Sequence, residues 1–473
     1  MEENTTKKYE LVFIAGPGAS HIVPTVEFAK TLLDTDHRFS ITVLTMNSPL
    51  FPVPSSYIDS VPEIRFIELT RPDSPPPEMK HSLVGLCEFV DHYKPHSRQV
   101  ITQLIATELD PNSVSLAALV LDMFTTPMID IADELGVPSY VYFTSGVALL
   151  DVFIQFPAID SAMETDLKNE LTRELEFPSF KNSVPAIALP SVLWTKNTDD
   201  YACHLHIGRR IGETKGVIIN TFYDLETYAI DSFGSTVPGY PQIYSIGPVL
   251  DLAGRVNSGK SKTQHNENIM KWLDEQPNRS VVFLCFGSKG TFEVDQVREI
   301  ANGLERSRHR FLWSVQGKDK STPVEELVPE GFVERTVERG MVCGWVPQVA
   351  VLGHGSVGCF VSHCGWNSIL ESFWFGVPIL TWPMYAEQHL NAFLLVKELG
   401  LSVELKGYDR VSEDDLVKAD EVERGVRRFM GGECEEVRKK VDEMKEKSRR
   451  ALKKGGSSVA SIKRLIEDLV QGR

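Results

Sequence analysis

Two groups of residues in this 473-residue chain have the types and spacing to do chemistry. The first begins with Gly16-Pro17-Gly18-Ala19-Ser20-His21, which follows the apolar run Leu11–Ala15 and opens a helical pattern. It starts like a G-x-G-x-x-G dinucleotide fingerprint, but His21 stands where the third glycine is needed for close helix–strand packing. The next apolar run ends Val43-Leu44-Thr45, without the acidic residue that would hold a ribose diol. A nicotinamide or flavin site is therefore set aside. What remains is a tight glycine turn that presents an imidazole at the carboxyl end of a strand. Asp122 directly follows a second apolar run, Ala117–Leu121, and so falls at another strand end. A carboxylate on one imidazole nitrogen fixes the tautomer and stabilises the imidazolium, leaving the other nitrogen as a general base. The chain has no G-x-S-x-G nucleophile elbow, so a hydrolase triad lacks its third member. The pair His21–Asp122 suits proton abstraction from a substrate hydroxyl.

The second group lies between Trp345 and Gln388. The run Cys359–Ser362 reads as a strand, followed by His363-Cys364-Gly365-Trp366-Asn367-Ser368 and the helical Ile369–Phe375. Gly, Asn and Ser at a helix N-terminus after a parallel strand offer free N–H groups, a helix dipole and short polar side chains, which together suit a diphosphate. His363 can add a donor. Glu371 lies four residues beyond Asn367 on the same helix face, with two acceptor oxygens for a ribose diol. Trp345, before Pro347, offers a flat face for a base. Glu387 and Gln388 supply acceptors and donors suited to sugar hydroxyls.

The elements that must position these residues emerge from hydrophobic patterning. In the first half, short β-branched runs (Leu11–Ala15, Ile41–Thr45, Ile64–Leu69, Ala117–Leu121, Ser139–Phe143, Gly216–Ile219, Ile243–Ile246) alternate with helical stretches at Thr25–Leu33, His81–Glu108 and Pro127–Leu135. That alternation predicts a doubly wound α/β unit with a parallel sheet. With the strand order 3-2-1-4-5-6, strands 1 and 4 are neighbours at the switch point, where ligands bind. Asp251–Asn268 is polar and reads as a surface linker, after which alternation restarts at Val281–Phe286, Phe311–Val315, Gly340–Cys343, Cys359–Ser362, Ile379–Trp382 and Leu401–Leu405. Charged helices come next at Glu413–Met430, Glu435–Lys453 and Ser457–Val470. The expected organisation is an N-terminal domain over 1–250, a linker over 251–268, a second domain over 269–455 and a terminal helix over 456–473, with the site in the cleft.

The segment Trp345–Gln388 resembles the 44-residue plant secondary-product glycosyltransferase signature, the donor site of plant family-1 UDP-dependent glycosyltransferases. Pro17–His21, Asp122, Thr144, Phe286-Gly287-Ser288 and Gly455-Gly456-Ser457-Ser458 also stand where that family has them, so the resemblance spans essentially the whole chain. Trp272-Leu273-Asp274-Glu275-Gln276-Pro277 is closest to members acting on flavonoids and triterpenoids. The resemblance implies a GT-B fold, two Rossmann-like domains with the last helix crossing back to the first, and metal-free, inverting transfer from a UDP-sugar. It implies that Trp345 stacks on uracil with the Val346 backbone and Gln348 nearby, and that Glu371 holds the ribose. It assigns His363, Asn367, Ser368 and Ser288 to the diphosphate, and Trp366, Glu387, Gln388 and Thr144 to the sugar. The terminal Gln388 favours glucose. Ser20 replaces a usual glycine before the catalytic histidine, and Val346 a common alanine; neither removes a functional group.

The resulting expectation is glucose transfer from UDP-glucose, as co-substrate and without a metal cofactor, to a phenolic or triterpenoid hydroxyl, giving a β-O-glucoside. Leu86, Phe124, Phe143 and Tyr385 are expected to line an apolar acceptor pocket. A UDP-sugar epimerase of the same fold and a non-catalytic metabolite receptor are the alternatives. The net charge of −16 argues against nucleic acid as a partner. No run approaches the length of a membrane span. Seven cysteines, odd in number and mostly in apolar runs, read as reduced thiols of a cytoplasmic protein, expected to be monomeric. Asp34-Thr35-Asp36, the one Asp-x-Asp, reads as a solvated loop, and the sequons at Asn4 and Asn278 as coincidental.

Overall fold

The computed structural model describes residues 7–46, 55–69, 82–109, 114–236, 240–255, 263–317, 322–412 and 415–471. The loop Pro72–Lys80, expected to influence acceptor choice, the sequon at Asn4 and residues 256–262 of the expected linker lie outside them.

Seven strands build the first sheet: β1 (Lys8–Ile14), β2 (Phe39–Met46), β3 (Arg65–Leu69), β4 (Val114–Asp122), β5 (Ser139–Phe143), β6 (Gly216–Ile219) and β7 (Gln242–Ser245). Their spatial order is β3-β2-β1-β4-β5-β6-β7, and every pairing is parallel. The central strands are apolar on both faces because helices cover both, as a parallel sheet requires. The register pairs Ile14 with Leu121, so the turn after β1 and Asp122 at the end of β4 emerge side by side. Strands 1 and 4 are thus neighbours, as the doubly wound order predicts.

The second sheet holds β8 (Val281–Cys285), β9 (Arg310–Ser314), β10 (Gly340–Cys343), β11 (Val357–Ser362), β12 (Ile379–Thr381) and β13 (Ser402–Glu404). It too is all parallel, in the order β10-β9-β8-β11-β12-β13. Two such units are the arrangement that the resemblance to GT-B proteins implies.

Eight helices frame the site or brace the sheets that carry it: α1 (Ala19–Thr35), α2 (Leu83–Glu108), α3 (Val147–Ala162), α4 (Asp199–Gly212), α5 (Trp366–Phe375), α6 (Ala419–Met430), α7 (Glu435–Ala451) and α8 (Ser457–Gln471). Helix α1 starts six residues before the apolar periodicity does, because Gly18 ends the turn and the polar Ser20 and His21 occupy its first turn. Helices α3 and α4 are absent from the sequence reading. Helix α3 is buried almost all round, and a helix without a polar face shows no 3.6-residue period. The expected linker is shorter than its polar composition suggests, since a helix begins at Thr263 and runs to Asp274. Asp36 caps the end of α1 and forms a two-pronged ion pair with Arg38, so the Asp-x-Asp segment is a structured turn.

The cysteine expectation is corrected in part. Cys87 on α2 and Cys203 on α4 form a disulfide across 116 residues, while Cys285, Cys343, Cys359, Cys364 and Cys434 are free and buried. Packing of α2 against α4 brings the pair together, which spacing in the sequence does not reveal. Among the described residues no helix is long and apolar enough to cross a membrane.

The last helix lies on the first sheet. Ile462, Leu465, Ile466 and Leu469 join the apolar cluster of Tyr140, Ile218 and Tyr244. The Tyr244 hydroxyl donates to Asp468, Arg464 donates to the Ile243 carbonyl at 3.1 Å, and the Ser458 hydroxyl donates to the Gly247 carbonyl. Leu465 is fully buried. Leu465→Ala is expected to cost about 2–5 kcal/mol. It should lower the thermal unfolding midpoint of the N-terminal unit, where a substitution of the exposed Lys463 on the same helix should not.

Candidate active site

His21 sits in the first turn of α1, aimed by two glycines with different duties. Gly18 caps the helix at φ 102°, a conformation that strains any residue with a Cβ. Gly16 lies against Asp122, and a Cβ there would fall 2.5 Å from Asp122 Oδ1. Asp122 is 2% exposed, and each of its oxygens has one task. Oδ2 accepts from His21 Nδ1 at 2.8 Å, and Oδ1 accepts from the Phe124 N–H at 2.9 Å. The expected pairing of His21 with Asp122 is therefore present. With Nδ1 held by the carboxylate, Nε2 is left as the basic atom. Thr144 Oγ1 lies 3.3 Å from the same Nδ1, and the Phe124 ring packs 5.0 Å from the imidazole.

Burial alone would lower the His21 pKa. The charge and hydrogen bond of Asp122, reinforced by the Glu387 carboxylate, outweigh it, while Lys289 acts in the opposite sense. The net result is a pKa above the ordinary imidazole value. Burial in turn pushes the Glu387 carboxyl up, an effect that the neighbouring His21 tempers.

The C-terminal unit brings up the opposite wall. Helix α5 begins after Gly365, immediately beyond β11. Gln348 Nε2 donates to Ser368 Oγ at 2.9 Å and to Glu371 Oε2 at 2.7 Å, joining three of the expected donor residues. Burial raises the Glu371 carboxyl to about 7, against the pull of the Gln348 hydrogen bond. His363 is held neutral by burial, its pKa lowered to about 4. Its ring is wedged between two glycines: a Cβ on Gly287 or Gly365 would come within 2.8 or 2.5 Å of Nε2. His363 Nδ1 and Asn367 Oδ1 are buried without a protein partner among the described residues, so this helix end carries polar atoms that nothing in the described chain satisfies. Trp345 and Glu387 are half-buried, Ser288 is exposed, and the Val346 side chain is buried so that only its backbone can serve a ligand.

The two walls touch. Asn367 Nδ2 donates to the Ser20 carbonyl at 3.3 Å, a contact through backbone that any residue at position 20 could supply. The Trp366 side chain turns away from the helix end and donates Nε1–H to the Asn220 carbonyl at 2.7 Å, so a sugar contact from this residue falls to its backbone. Glu226, 2% exposed, accepts from the N–H groups of Val147 and Ala148 at 3.1 and 3.0 Å. It thereby caps α3 next to the Thr144 turn. Gly146 in that turn is pressed between the Trp366 ring and the Glu226 carboxylate. Gln388 is buried, and its Oε1 accepts from the N–H groups of Met384 and Tyr385, which shapes the loop after β12.

The acceptor-pocket expectations divide. Phe124 and Leu86 are half-buried and Tyr385 is 39% exposed, so each has surface to offer. Phe143 does not: it is fully buried and packs edge-on against Phe153, a core residue at the end of a central strand. Sequence reasoning misses Asn220, Glu226 and Lys289. For Lys289 a signal is present, a cation in a turn bracketed by Gly287 and Gly290.

Comparison with known proteins agrees with this geometry. Residues 235–423 match the family described as UDP-glucoronosyl and UDP-glucosyl transferase. The chain is 44% identical to UDP-glycosyltransferase 71K2 of Pyrus communis over 480 residues, 98% of each protein. It is also 44% identical to anthocyanidin 3-O-glucosyltransferase 1 of Manihot esculenta, over 95% of this chain and all of that one. Among solved structures, Medicago truncatula UGT71G1 complexed with UDP-glucose superposes with a TM-score of 0.89 at 42% identity, covering 99% of this chain and 100% of the other. With end-to-end similarity at this level, and with both half-sites in place, the chain belongs to the plant family-1 UDP-dependent glycosyltransferases.

Proposed function

We propose that the enzyme transfers glucose from UDP-glucose to a hydroxyl of a small hydrophobic plant metabolite, forming a β-O-glucoside with inversion. The observation that carries this reading is the His21–Asp122 pair, set at the carboxyl edge of the first sheet and joined through Ser20 to the N-terminus of α5. His21 Nε2 takes the acceptor proton while the acceptor oxygen bonds to the anomeric carbon. The bond from that carbon to the diphosphate breaks, and its electron pair leaves with UDP. Asp122 offsets the charge that forms on the imidazole. The free N–H groups at the start of α5, with Ser368 and Asn367, receive the diphosphate where its negative charge grows. Glu371, steadied by Gln348, would hold the ribose, Trp345 the uracil, and Thr144, Glu387 and Gln388 the sugar, with Ser288 and His363 on the diphosphate.

The Manihot esculenta relative is an anthocyanidin 3-O-glucosyltransferase, which supports a phenolic acceptor here. The energetics favour the same class: a phenol near pKa ~10 gives up its proton to an imidazole near ~6.5 far more readily than an alcohol does. The aromatic Phe124 beside His21 suits a flat ring. Five free, buried cysteines fit action in the cytoplasm, and nothing in the reaction requires a second subunit.

The direct test is acceptor-dependent release of UDP from UDP-glucose across a panel of phenols and terpenoid alcohols, with product mass recorded. Release with no panel member would count decisively against transfer. His21→Ala should lose roughly 10²–10⁴-fold in kcat while still binding UDP, the usual range for removal of a general base.

The pH profile gives a second check. Because His21 must be neutral to accept a proton, its raised pKa places the acid limb of kcat/KM above the ordinary imidazole value of about 6.5, with activity falling as pH drops through it. Asp122→Asn removes the charge that raises it, so the limb should move to lower pH even as kcat falls.

For the donor, Gln388→Ala frees the loop N–H groups of Met384 and Tyr385 and should erode the preference for UDP-glucose over UDP-galactose. An unchanged ratio of kcat/KM between the two donors would remove Gln388 from sugar selection.

A further inference from the structure

The turn between β8 and the next helix is held at both ends and open in the middle. Phe286 is buried and packs edge-on against Phe292 at 4.6 Å and against Trp382 at 5.6 Å, while Phe292 packs on Trp382 at 5.8 Å. Gly287 adopts φ +75° and lies on the His363 ring. Gly290 folds back onto the Phe286 carbonyl so closely that a Cβ would fall 2.1 Å from that oxygen. Only Ser288 and Lys289 protrude, and both are exposed. The apex therefore stands beside His363 and the start of α5. The charge of the Lys289 ammonium also acts on the His21 imidazole.

We propose that Lys289 is a further catalytic residue: its ammonium reaches the diphosphate of the bound donor and neutralises charge on the departing UDP. This rests on the transferase reading. The physical need is clear from the rest of the site. His363 is neutral, held so by burial, and the first turn of α5 offers only dipoles and neutral side chains. Among the described residues, Asp122, Glu387 and Lys289 act most strongly by charge on His21, and of these three only Lys289 is a cation. As the bond from the anomeric carbon to the phosphate oxygen breaks, its electron pair stays on the diphosphate, and a cation there lowers the energy of the charge-separated state. No proton passes to or from Lys289. The same cation disfavours imidazolium, and so helps keep His21 in its basic form before reaction. A short turn with glycines at both ends suits this task, because it fixes the Cα while leaving the long side chain room to track the phosphate.

The test compares the wild-type protein with Lys289→Met and Lys289→Arg. UDP affinity is measured by calorimetry at two ionic strengths, and transfer from UDP-glucose is measured as kcat, KM and a pH profile. Lys289→Met should bind UDP several-fold more weakly, with a shallower salt dependence, and lose about 10- to 100-fold in kcat, a smaller loss than removal of an enclosed donor because the apex is open to water. Its acid limb should move to higher pH, since the charge that opposes imidazolium is gone. Lys289→Arg should restore most of each property, and thermal unfolding should be unchanged in both variants. Wild-type affinity, rate and pH profile in Lys289→Met would overturn the assignment while leaving the transferase reading intact. If the wild type turns over no acceptor, the UDP-binding comparison still decides on Lys289. If the wild type does not bind UDP, both readings fall together.

Discussion

The site exists only because two separate sheets are held at hydrogen-bond tolerance to each other. The proposed base, His21, is on one, and the helix end proposed to receive the diphosphate is on the other. A shift of about 1 Å between them would separate His21 from the carbon it serves. The seam that prevents this is built of directional contacts. Trp366 is seated on the Asn220 carbonyl, Asn367 reaches the Ser20 carbonyl, and Glu398 accepts from the N–H groups of Lys181 and Asn182 at 3.0 and 3.1 Å. Phe180 packs on Phe393 beside the last of these. Trp366 is the central member, because it shares its helical turn with Asn367 and Ser368. Its ring rests on Gly146, two residues from Thr144, so the donor wall and the catalytic wall are linked by one side chain.

Within the first wall, the fold turns a short-range constraint into tautomer control. Parallel pairing of β1 with β4 delivers Gly16 and Asp122 side by side. The absence of a side chain on Gly16 lets the carboxylate approach, and the Phe124 N–H holds its second oxygen. The carboxylate cannot rotate away from His21 without abandoning that N–H. Burial pulls the imidazole pKa one way and the carboxylate pulls it the other. The group that results is more basic than a free histidine.

Much of this is legible in the chain itself, for identifiable reasons. Strand–helix alternation shows wherever one helix face is polar, and so the two doubly wound units, the strand ends carrying His21 and Asp122, and the helix beginning near Asn367 can all be read. Helix α3 cannot, since Asp151, Phe153 and Phe156 are all buried and leave no polar stripe. Phe143 looks available because a strand end often faces a ligand, but its side chain points into the sheet's packed face. The disulfide between Cys87 and Cys203, the socket of Asn220 and the cap by Glu226 depend on which helices and loops become neighbours, and local composition carries no record of that. Lys289 is visible in the sequence as a residue, and becomes visible as a participant only through its charge acting on His21.

The terminal helix α8 has a consequence for how the protein is made. The outer face of the first sheet, with Tyr140, Ile218 and Tyr244, is covered by residues that follow the whole second domain along the chain. An N-terminal unit ordinarily finishes folding while the remainder is still being translated. Here the first sheet waits for the whole second domain to emerge, with an apolar face uncovered in the interval. In space the N-terminal unit is one body; along the chain its two parts are separated by the whole second domain.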